Sequence, residues 1–294
     1  MNTIPILNIE EFEEDSFSNF YSNDLSIHLK NNAQMVHKPH SHNFYLCVFF
    51  LEGTGTHEID FSSYDVLKGS VFFLRPGQTH SWSFTSAPRG YIFFHTQEFY
   101  EFYFLNKSIT QFPFYYSYEN PPYLVLNETE IKNINSRFEA INIEFHKTDI
   151  YKKQKLASLI NLTYIDLSRI YTTIDAKMEV LSSSYLNALS VLEQTIEAFY
   201  KTEKSAKFYA DKLSITVKHL NRITKSTINK TTTQLITERV LLEAKRLIVH
   251  SKNSFSRTAE TLGYNDYAHF SKLFKMKVGI TPLDFKKRYE INDD

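Results

Sequence analysis

Thr258–Lys275 reads TAETLGYNDYAHFSKLFK, and the fold of the chain follows from finding this pattern twice. Ala259 and Leu262 stand three apart, the spacing of one face of a short helix. Gly263 can take the positive φ that ends a helix, and Asn265 or Asp266 can cap the next one. Phe270, Leu273 and Phe274 then recur at helical spacing. Tyr209–Lys225, YADKLSITVKHLNRITK, has the same plan. Ala210 and Leu213 mark its short helix, Thr216 is the cap, and Leu220 and Ile223 line its second helix. Along the second helices a shift of 50 positions pairs His219 with His269, Leu220 with Phe270, Arg222 with Lys272, Ile223 with Leu273 and Lys225 with Lys275. A short helix, a tight turn and a second helix form the helix-turn-helix plan.

At about 100° per residue each second helix divides into faces. With Leu220 pointing inward, Val217, Ile223 and Thr224 fall on its side. Lys218, Arg222 and Lys225 fall opposite, with Asn221 beside them. In the other copy Phe270, Leu273 and Phe274 point inward. Ala268, Lys272 and Lys275 point outward, with Ser271 beside them. Arg222 and Asn221 suit base edges in a major groove, and Lys225 and Lys275 suit phosphates. A single helix face with two or three basic residues is ordinarily just solvated. Its recurrence at matched positions, after the same helix and turn, points to DNA. A protein-binding module with no DNA role is the alternative reading of two amphipathic repeats.

Between the copies, Thr232–Ser251 carries Leu235, Ile236, Val240, Leu241, Ala244, Leu247 and Ile248. One long helix with a wide apolar face is predicted, holding the two units at a fixed separation. If both enter successive major grooves, that separation is about one DNA turn, roughly 34 Å. Thr281, Pro282 and Asp284 start a last helix, with a cap, Pro in the first turn and an acid near the positive end of the dipole.

Charge supports the division. The chain of 294 residues is formally neutral, with 33 Lys+Arg and 33 Asp+Glu. From Lys201 onward there are 19 Lys+Arg against 10 Asp+Glu, which leaves 14 against 23 in the first 200 residues. A basic module on an acidic body can hold a polyanion locally. There is no apolar run of transmembrane length and no secretory signal pattern at MNTIPILNIEEFEED, so no membrane role is expected. One cysteine, Cys47, excludes an internal disulfide and any cysteine-based zinc spacing, consistent with a reducing cytoplasm.

The first part of the chain has a different period. Residues ~25–125 read as strands and turns: HNFYLCVFFLEGTGTHEIDF with Gly53 and Gly55, GSVFFLRPGQTHSWSF with Pro76-Gly77, and RGYIFFHTQEFY as a third apolar run. Short strands with turn signals between them suggest a sandwich or barrel. From Asn127, Ile131, Ile134, Phe138, Ile141 and Phe145 form a helical stripe. A second helix fits Ile150–Tyr171, with Leu156, Leu159, Ile160, Thr163, Leu167 and Ile170 on one side. These two helices suit either packing within the chain or a dimer seam. Polar, serine-rich residues 171–184 read as a linker. No nucleophile-base-acid set and no phosphate loop stands out.

With these residues in view, the C-terminal segment resembles the DNA-binding domain of the AraC/XylS family of bacterial transcription regulators. The most specific part is Ala259-Glu-Thr-Leu-Gly263-Tyr264, Asp266, Phe270-Ser-Lys-Leu-Phe274-Lys275, then Gly279-Ile-Thr281-Pro282 and Phe285. Thr258 stands for the family's usual Ile and Tyr264 for its usual Phe. Leu-Ser-x-Thr-x-x-His-Leu-x-Arg in the first unit, Arg239 and Ala244-Lys245 also match. Asn229 stands where Gly is common, which its tolerance of the left-handed region allows. The resemblance implies that Lys218, Asn221 and Arg222 face the groove in the first unit, with Tyr267, Ala268, Ser271 and Lys272 in the second. Thr216 at the helix entrance is counted with them, and Lys225 and Lys275 approach the backbone. His219 and His269 sit off the outer face and are expected in helix packing.

Many members of this family carry an N-terminal cupin-like β-barrel that senses a small molecule, and residues 1–126 look similar. His40-Ser-His42 resembles the cupin His-x-His, and Gly69–His80 resembles the second cupin motif. The Glu that completes an enzymatic cupin's metal site is missing, because Asn43, Phe44, Tyr45 and Leu46 occupy that stretch. No metal and no cofactor is therefore expected, although a three-histidine site is conceivable; His40, His42, His80 and Trp82 are candidate effector contacts.

The whole is expected to be an α+β multidomain chain. Residues 1–126 form a cupin-like effector-binding domain, 127–184 a helical dimerisation and linker region, and 185–294 an all-α DNA-binding domain. Its partners would be double-stranded DNA, a small-molecule effector such as a sugar or another small organic ligand, and a second copy of the chain. No enzymatic activity is expected. The alternative is a cupin-type metal-dependent enzyme or sensor fused to a DNA-binding domain.

Overall fold

Two long strands organise the N-terminal half of the computed structural model. The structure describes residues 5–12, 19–33, 38–104, 108–117, 120–174 and 183–290. Its strands are β1 (Ile6–Leu7), β2 (Phe20–Asp24), β3 (Ser41–His42), β4 (Tyr45–Ile59), β5 (Ser62–Val66), β6 (Ser70–Leu74), β7 (His80–His95) and β8 (Tyr123–Val125). β4 and β7 pair antiparallel from Tyr45–His95 to Ile59–His80. The third apolar run of the sequence is thus split: Arg89–His95 is the second half of β7, and Gln97–Tyr100 begins a helix capped by Thr96. The register shifts between Phe50 and Gly55. There Gly53, at φ 110°, lies so close to Pro88 that an added Cβ would come within 2.6 Å of the Pro88 Cα.

The main sheet runs β2-β7-β4-β6-β8, with β5 also on β4, and the parallel pair β1-β3 is tied to it by a bridge between His40 and His80. The first half of β4, Tyr45–Phe50, is buried on both faces, and its second half alternates. This explains why the run YLCVFF shows no period of two: it is covered on both sides. Four short or medium helices accompany the sheet or lie across it: α1 (Leu25–Asn31), α2 (Gln97–Tyr103), α3 (Pro113–Tyr116) and α4 (Glu128–Phe145). A fifth, α5 (Lys152–Ile174), packs on α4. Asn127 caps α4 in a capping box with Glu130.

The helical stripe of α4 is buried in full: Ile131, Ile134, Phe138, Ile141 and Phe145. Phe138 meets Phe49 and Phe93 of the sheet at ring separations of 5.4 and 5.2 Å. From α5, Leu156, Ile160, Thr163 and Leu167 are buried, and Leu159 and Ile170 are partly covered. Tyr164 is fully buried, and its hydroxyl bonds His95 Nε2 at 2.8 Å. Both stripes are therefore filled within the chain, and α4 and α5 belong to one compact unit with the sheet, Pro5–Val180. A seam made of these stripes would require the domain to open. The linker expected at 171–184 lies outside the described residues over 175–182; α5 continues through 171–174.

The second unit, from Leu181 onward, is helical throughout its described part. Its helices are α6 (Ser183–Phe199), α7 (Ala206–Lys212), α8 (Val217–Ile228), α9 (Thr232–His250), α10 (Phe255–Thr261), α11 (Tyr267–Val278) and α12 (Pro282–Glu290). The expected long connecting helix is α9. It is fastened to α6 by Arg239, which donates to both carboxylate oxygens of Glu197 at 2.6 and 2.7 Å and lies over the Tyr200 ring. Burial raises the Glu197 carboxyl, but the Arg239 hydrogen bonds and the nearby positive charges outweigh it and leave the group below its ordinary value. Among the described residues no helix is long and apolar enough to cross a membrane.

Candidate nucleic-acid interface and histidine cluster

Each helix-turn-helix is held by local chemistry. Ser205 caps α7 through the Lys207 N–H, and Ser254 caps α10 through the Arg257 N–H. The turns contain Ser214 at φ 55° and Gly263 at φ 76°. The backbone N–H groups of Ile215 and Tyr264 reach back to the Ala210 and Ala259 carbonyls. Thr216 then accepts from the His219 N–H, and Asp266 from those of Ala268 and His269. Asn229 and Gly279 end α8 and α11 in the left-handed region, at φ 55° and 91°. The Asn in place of Gly is accommodated as its chemistry allows.

The capped helices present the faces expected of them. In α8, Leu220, Ile223 and Thr224 are buried, while Lys218, Arg222 and Lys225 are exposed. In α11, Phe270 and Phe274 are buried, while Ala268, Lys272 and Lys275 are exposed. Tyr267 and Ser271 are half-buried, and the Tyr267 ring stacks beside Phe255 with centroids 6.2 Å apart. An open recess of about 630 Å³ is lined by Lys218, Asn221, Arg222, Lys225 and Ser226. Arg222 donates to His219 Nδ1 at 2.6 Å, and the His219 ring meets Tyr185 of α6 edge-on.

One of the expected groove-facing residues also has a partner within the fold. Asn221 is half-buried, and its side-chain oxygen accepts from the Thr232 N–H at 2.9 Å. That atom serves the first turn of α9, where backbone donors lack partners within the helix. The matching residues of the second unit are Ser271 and Pro282. Proline has no N–H, so no acceptor is needed there. The sequence contains this correlation, but only the fold brings positions 221 and 232 together.

In the other unit the sheet gathers the candidate effector residues. His40, His42, His80 and Trp82 are all buried. The His80 ring lies 4.3 Å from that of His40, 5.2 Å from that of His42 and 5.0 Å from Trp82. A fourth imidazole, His57, joins them: its Nε2 lies 3.0 Å from His80 Nδ1, and it pairs with Trp82 across β4 and β7. Sequence reading missed His57 because it belongs to no motif. Its alternation with Ile59 gives its face, but the pairing partner comes from the long hairpin.

Burial lowers all four imidazoles, and their mutual repulsion lowers His42, His57 and His80 further. His42 falls to about 3 even though its hydrogen bond to the Phe44 carbonyl acts upward. They are therefore neutral at physiological pH. Among the described residues, the buried atoms His42 Nε2, His57 Nδ1, His80 Nε2 and Trp82 Nε1 have no hydrogen-bond partner. Unsatisfied buried polar atoms are uncommon, and each calls for a partner such as an ordered water or a ligand. Among the described residues no three His, Cys, Asp or Glu side chains are arranged to hold a metal ion.

A sheet domain with an interior polar cluster, and a helical domain with two basic recognition helices, define a ligand-binding DNA-binding regulator. Family models agree on both parts. An AraC-like ligand binding domain matches residues 23–124, and a helix-turn-helix domain matches residues 209–288. The chain is similar to the HTH-type transcriptional activator RhaS of Escherichia coli O81, at 22% identity over 270 residues, covering 91% of this chain and 94% of that one. Among solved structures, ToxT from Vibrio cholerae aligns over 91% of this chain and 98% of its own, at 14% identity and a TM-score of 0.44. The C-terminal domain of the response regulator yesN from Fusobacterium nucleatum aligns over 34% of this chain and 98% of its own, at 22% identity and a TM-score of 0.33. This chain belongs to the AraC family of transcription regulators.

Proposed function

We propose that this regulator reads its operator mainly through the first helix-turn-helix and holds the DNA backbone with both. Arg222 and Lys218 contact base edges in the major groove. Lys225, Lys272 and Lys275 neutralise phosphates, and Thr216, Tyr267, Ala268 and Ser271 line the approach. The observation that carries this reading is the matched exposure of basic residues on two helices of equal length, each with a side-chain N-cap and a left-handed residue at its end. The DNA-binding domain comprises residues 185–294, and the chain acts in the cytoplasm as a transcription regulator rather than as an enzyme.

The effector binds in the N-terminal domain at His40, His42, His80 and Trp82, with His57. The four buried atoms without partners support this placement. The active form is a homodimer. With the stripes of α4 and α5 filled internally, the contact falls on residues that remain open near their connection, Ile143, Ile150 and Tyr151, at 51%, 84% and 71% exposure. Effector then favours one arrangement of the DNA-binding domains because it binds that arrangement more tightly.

The test is retention of genomic DNA fragments by the full chain at near-physiological salt, followed by sequencing. Enrichment of a few fragments with two half-sites about one helical turn apart is expected. Uniform weak retention by both the full chain and residues 185–294 would overturn the reading.

A further inference from the structure

We propose that His219 is a positioning residue for base readout: it holds the Arg222 guanidinium so that one selected pair of N–H donors faces the groove. The proposal rests on the reading of Arg222 as a base contact and adds what fixes that side chain. His219 and Arg222 stand three apart on α8, as neighbours on the helix surface. Arg222 is exposed, whereas His219 is half-buried. The Thr216 cap fixes the His219 backbone by accepting from its N–H at 3.1 Å. Tyr185 of α6 backs the His219 ring edge-on, with centroids 6.0 Å apart. The ring also borders a cleft of about 410 Å³ between α6 and the first helix-turn-helix, lined by Lys212, Ile215 and Ile223 among others. His219 thus joins a packed wall to an exposed side chain, through the bond from Arg222 Nη2 to its Nδ1 at 2.6 Å.

The protons of this bond are fixed by chemistry. An arginine side chain is always charged and has no acceptor. His219 Nδ1 must therefore be the bare acceptor, and the proton of the neutral ring sits on Nε2. The two Nη2 hydrogens belong to different two-donor edges of the guanidinium, one shared with Nε and the other with Nη1. The bond to His219 occupies one of these edges and leaves the other complete.

Guanine presents two acceptors, N7 and O6, on its major-groove edge, so a complete two-donor edge is what bidentate readout needs. Held by His219, Arg222 meets the groove with that edge already selected and with less rotamer freedom to lose on binding. The second unit differs. There His269 meets the Tyr264 ring edge-on at 5.9 Å. Three residues on stands Lys272, whose ammonium is a point charge with no edges to select between.

The experiment uses the full chain and a randomised pool of double-stranded DNA. Retained molecules are sequenced, and base preference is read position by position. Arg222→Ala is expected to flatten one position. His219→Phe keeps a ring beside Tyr185 but has no acceptor. It is expected to lower the preference at that same position about three- to tenfold, with the salt slope unchanged. His219→Ala repeats the test without a ring. His219→Asn, whose Oδ1 can stand where Nδ1 stood, is expected to return the preference to within about twofold of the parent. In an Arg222→Ala background His219→Phe is expected to have no further effect, because the two residues act as one unit. ¹⁵N-labelled histidine NMR of the parent, with the His219→Asn spectrum assigning the signal, is expected to show His219 as the Nε2–H form. Unchanged preference in folded His219→Phe or His219→Ala protein overturns the proposal while leaving Arg222 a reader. So does a His219→Asn loss as large as that of His219→Phe, a loss that adds to that of Arg222→Ala, or an Nδ1–H form of His219. If Arg222→Ala changes no position, or the parent enriches no sequence, the base-reading role of Arg222 fails and the proposal falls with it.

Discussion

The two helix-turn-helix units share a scaffold and differ in the details that meet DNA. Their first helices have seven residues each and their second helices twelve. Serine caps both first helices, and left-handed residues end both second helices. A threonine then starts the following helix in each, Thr231 with Gln234 and Thr281 with Asp284. Three of the differences bear on the turn, the readout and the start of the next helix. Ser214 in the first turn faces Gly263 in the second. Arg222 faces Lys272, and the bonded pair Asn221–Thr232 faces Ser271–Pro282. The scaffold is therefore the repeated object, and readout is written separately on each copy. Arginine offers a rigid fork that matches guanine bidentately, whereas lysine is a point charge suited to phosphate. On the proposed function, the first unit discriminates and the second holds.

The largest effect should come from the turn. Gly263 sits against the chain after α6, where an added Cβ would stand 2.0 Å from the Lys201 carbonyl oxygen. Its φ of 76° also favours glycine. Gly263→Ala should destabilise the chain by roughly 2–4 kcal/mol. Ser214→Ala, at the matched turn of the first unit, should change stability by less than about 1 kcal/mol, since Ser already carries a Cβ there. Denaturant midpoints of the two variants check this, and equal losses would show that the two turns are interchangeable after all.

Arg222→Ala and Lys272→Ala sharpen the contrast in readout. Arg222→Ala should cost about 1–3 kcal/mol of discrimination and relax one base position. Lys272→Ala should weaken binding to all sequences and lower the salt slope by about one charge. Competition binding to single-base operator variants at several salt concentrations separates the two. A Lys272→Ala protein that loses one base preference would make the second unit a reader as well.

How much of this was legible beforehand depended on whether the signal was local. Caps, turns and helix faces arise from neighbours within a few residues, so Thr216, Asp266, Asn229 and the outward lysines were readable from the chain alone. The stripe of α4 was equally clear, but not its partner: Phe138 meets Phe49 and Phe93 only because the sheet forms. The same limit hid His57. His40-x-His42 and His80 carry a motif, whereas His57 enters the cluster through the register of β4 on β7. Long strands also read as several short ones, because the bend near Gly53 and the doubly covered run Tyr45–Phe50 interrupt the alternation.

Asn221 gives the finest test of the comparison, since sequence reasoning assigns it to base edges while the fold gives its oxygen to the Thr232 N–H. Asn221→Ala leaves that donor without its partner and should cost about 1 kcal/mol of stability. Adding Thr232→Pro copies the second unit: Thr232 is the first residue of α9, where proline is tolerated and no N–H remains to be satisfied. The double variant should recover most of the loss, whereas Thr232→Pro alone should leave Asn221 with an unused acceptor. Ser271→Ala, the matched change in the second unit, should alter stability by a few tenths of a kcal/mol at most. Thermal unfolding of the four proteins measures the cycle. If Asn221→Ala is as stable as the parent and instead relaxes one operator base, then Asn221 reads DNA with its amide, and both members of the Asn221–Arg222 pair are readers. Recovery by proline would instead leave Arg222 and Lys218 as the first unit's base-reading side chains, and would show that an asparagine on a recognition helix can be there to begin the next helix.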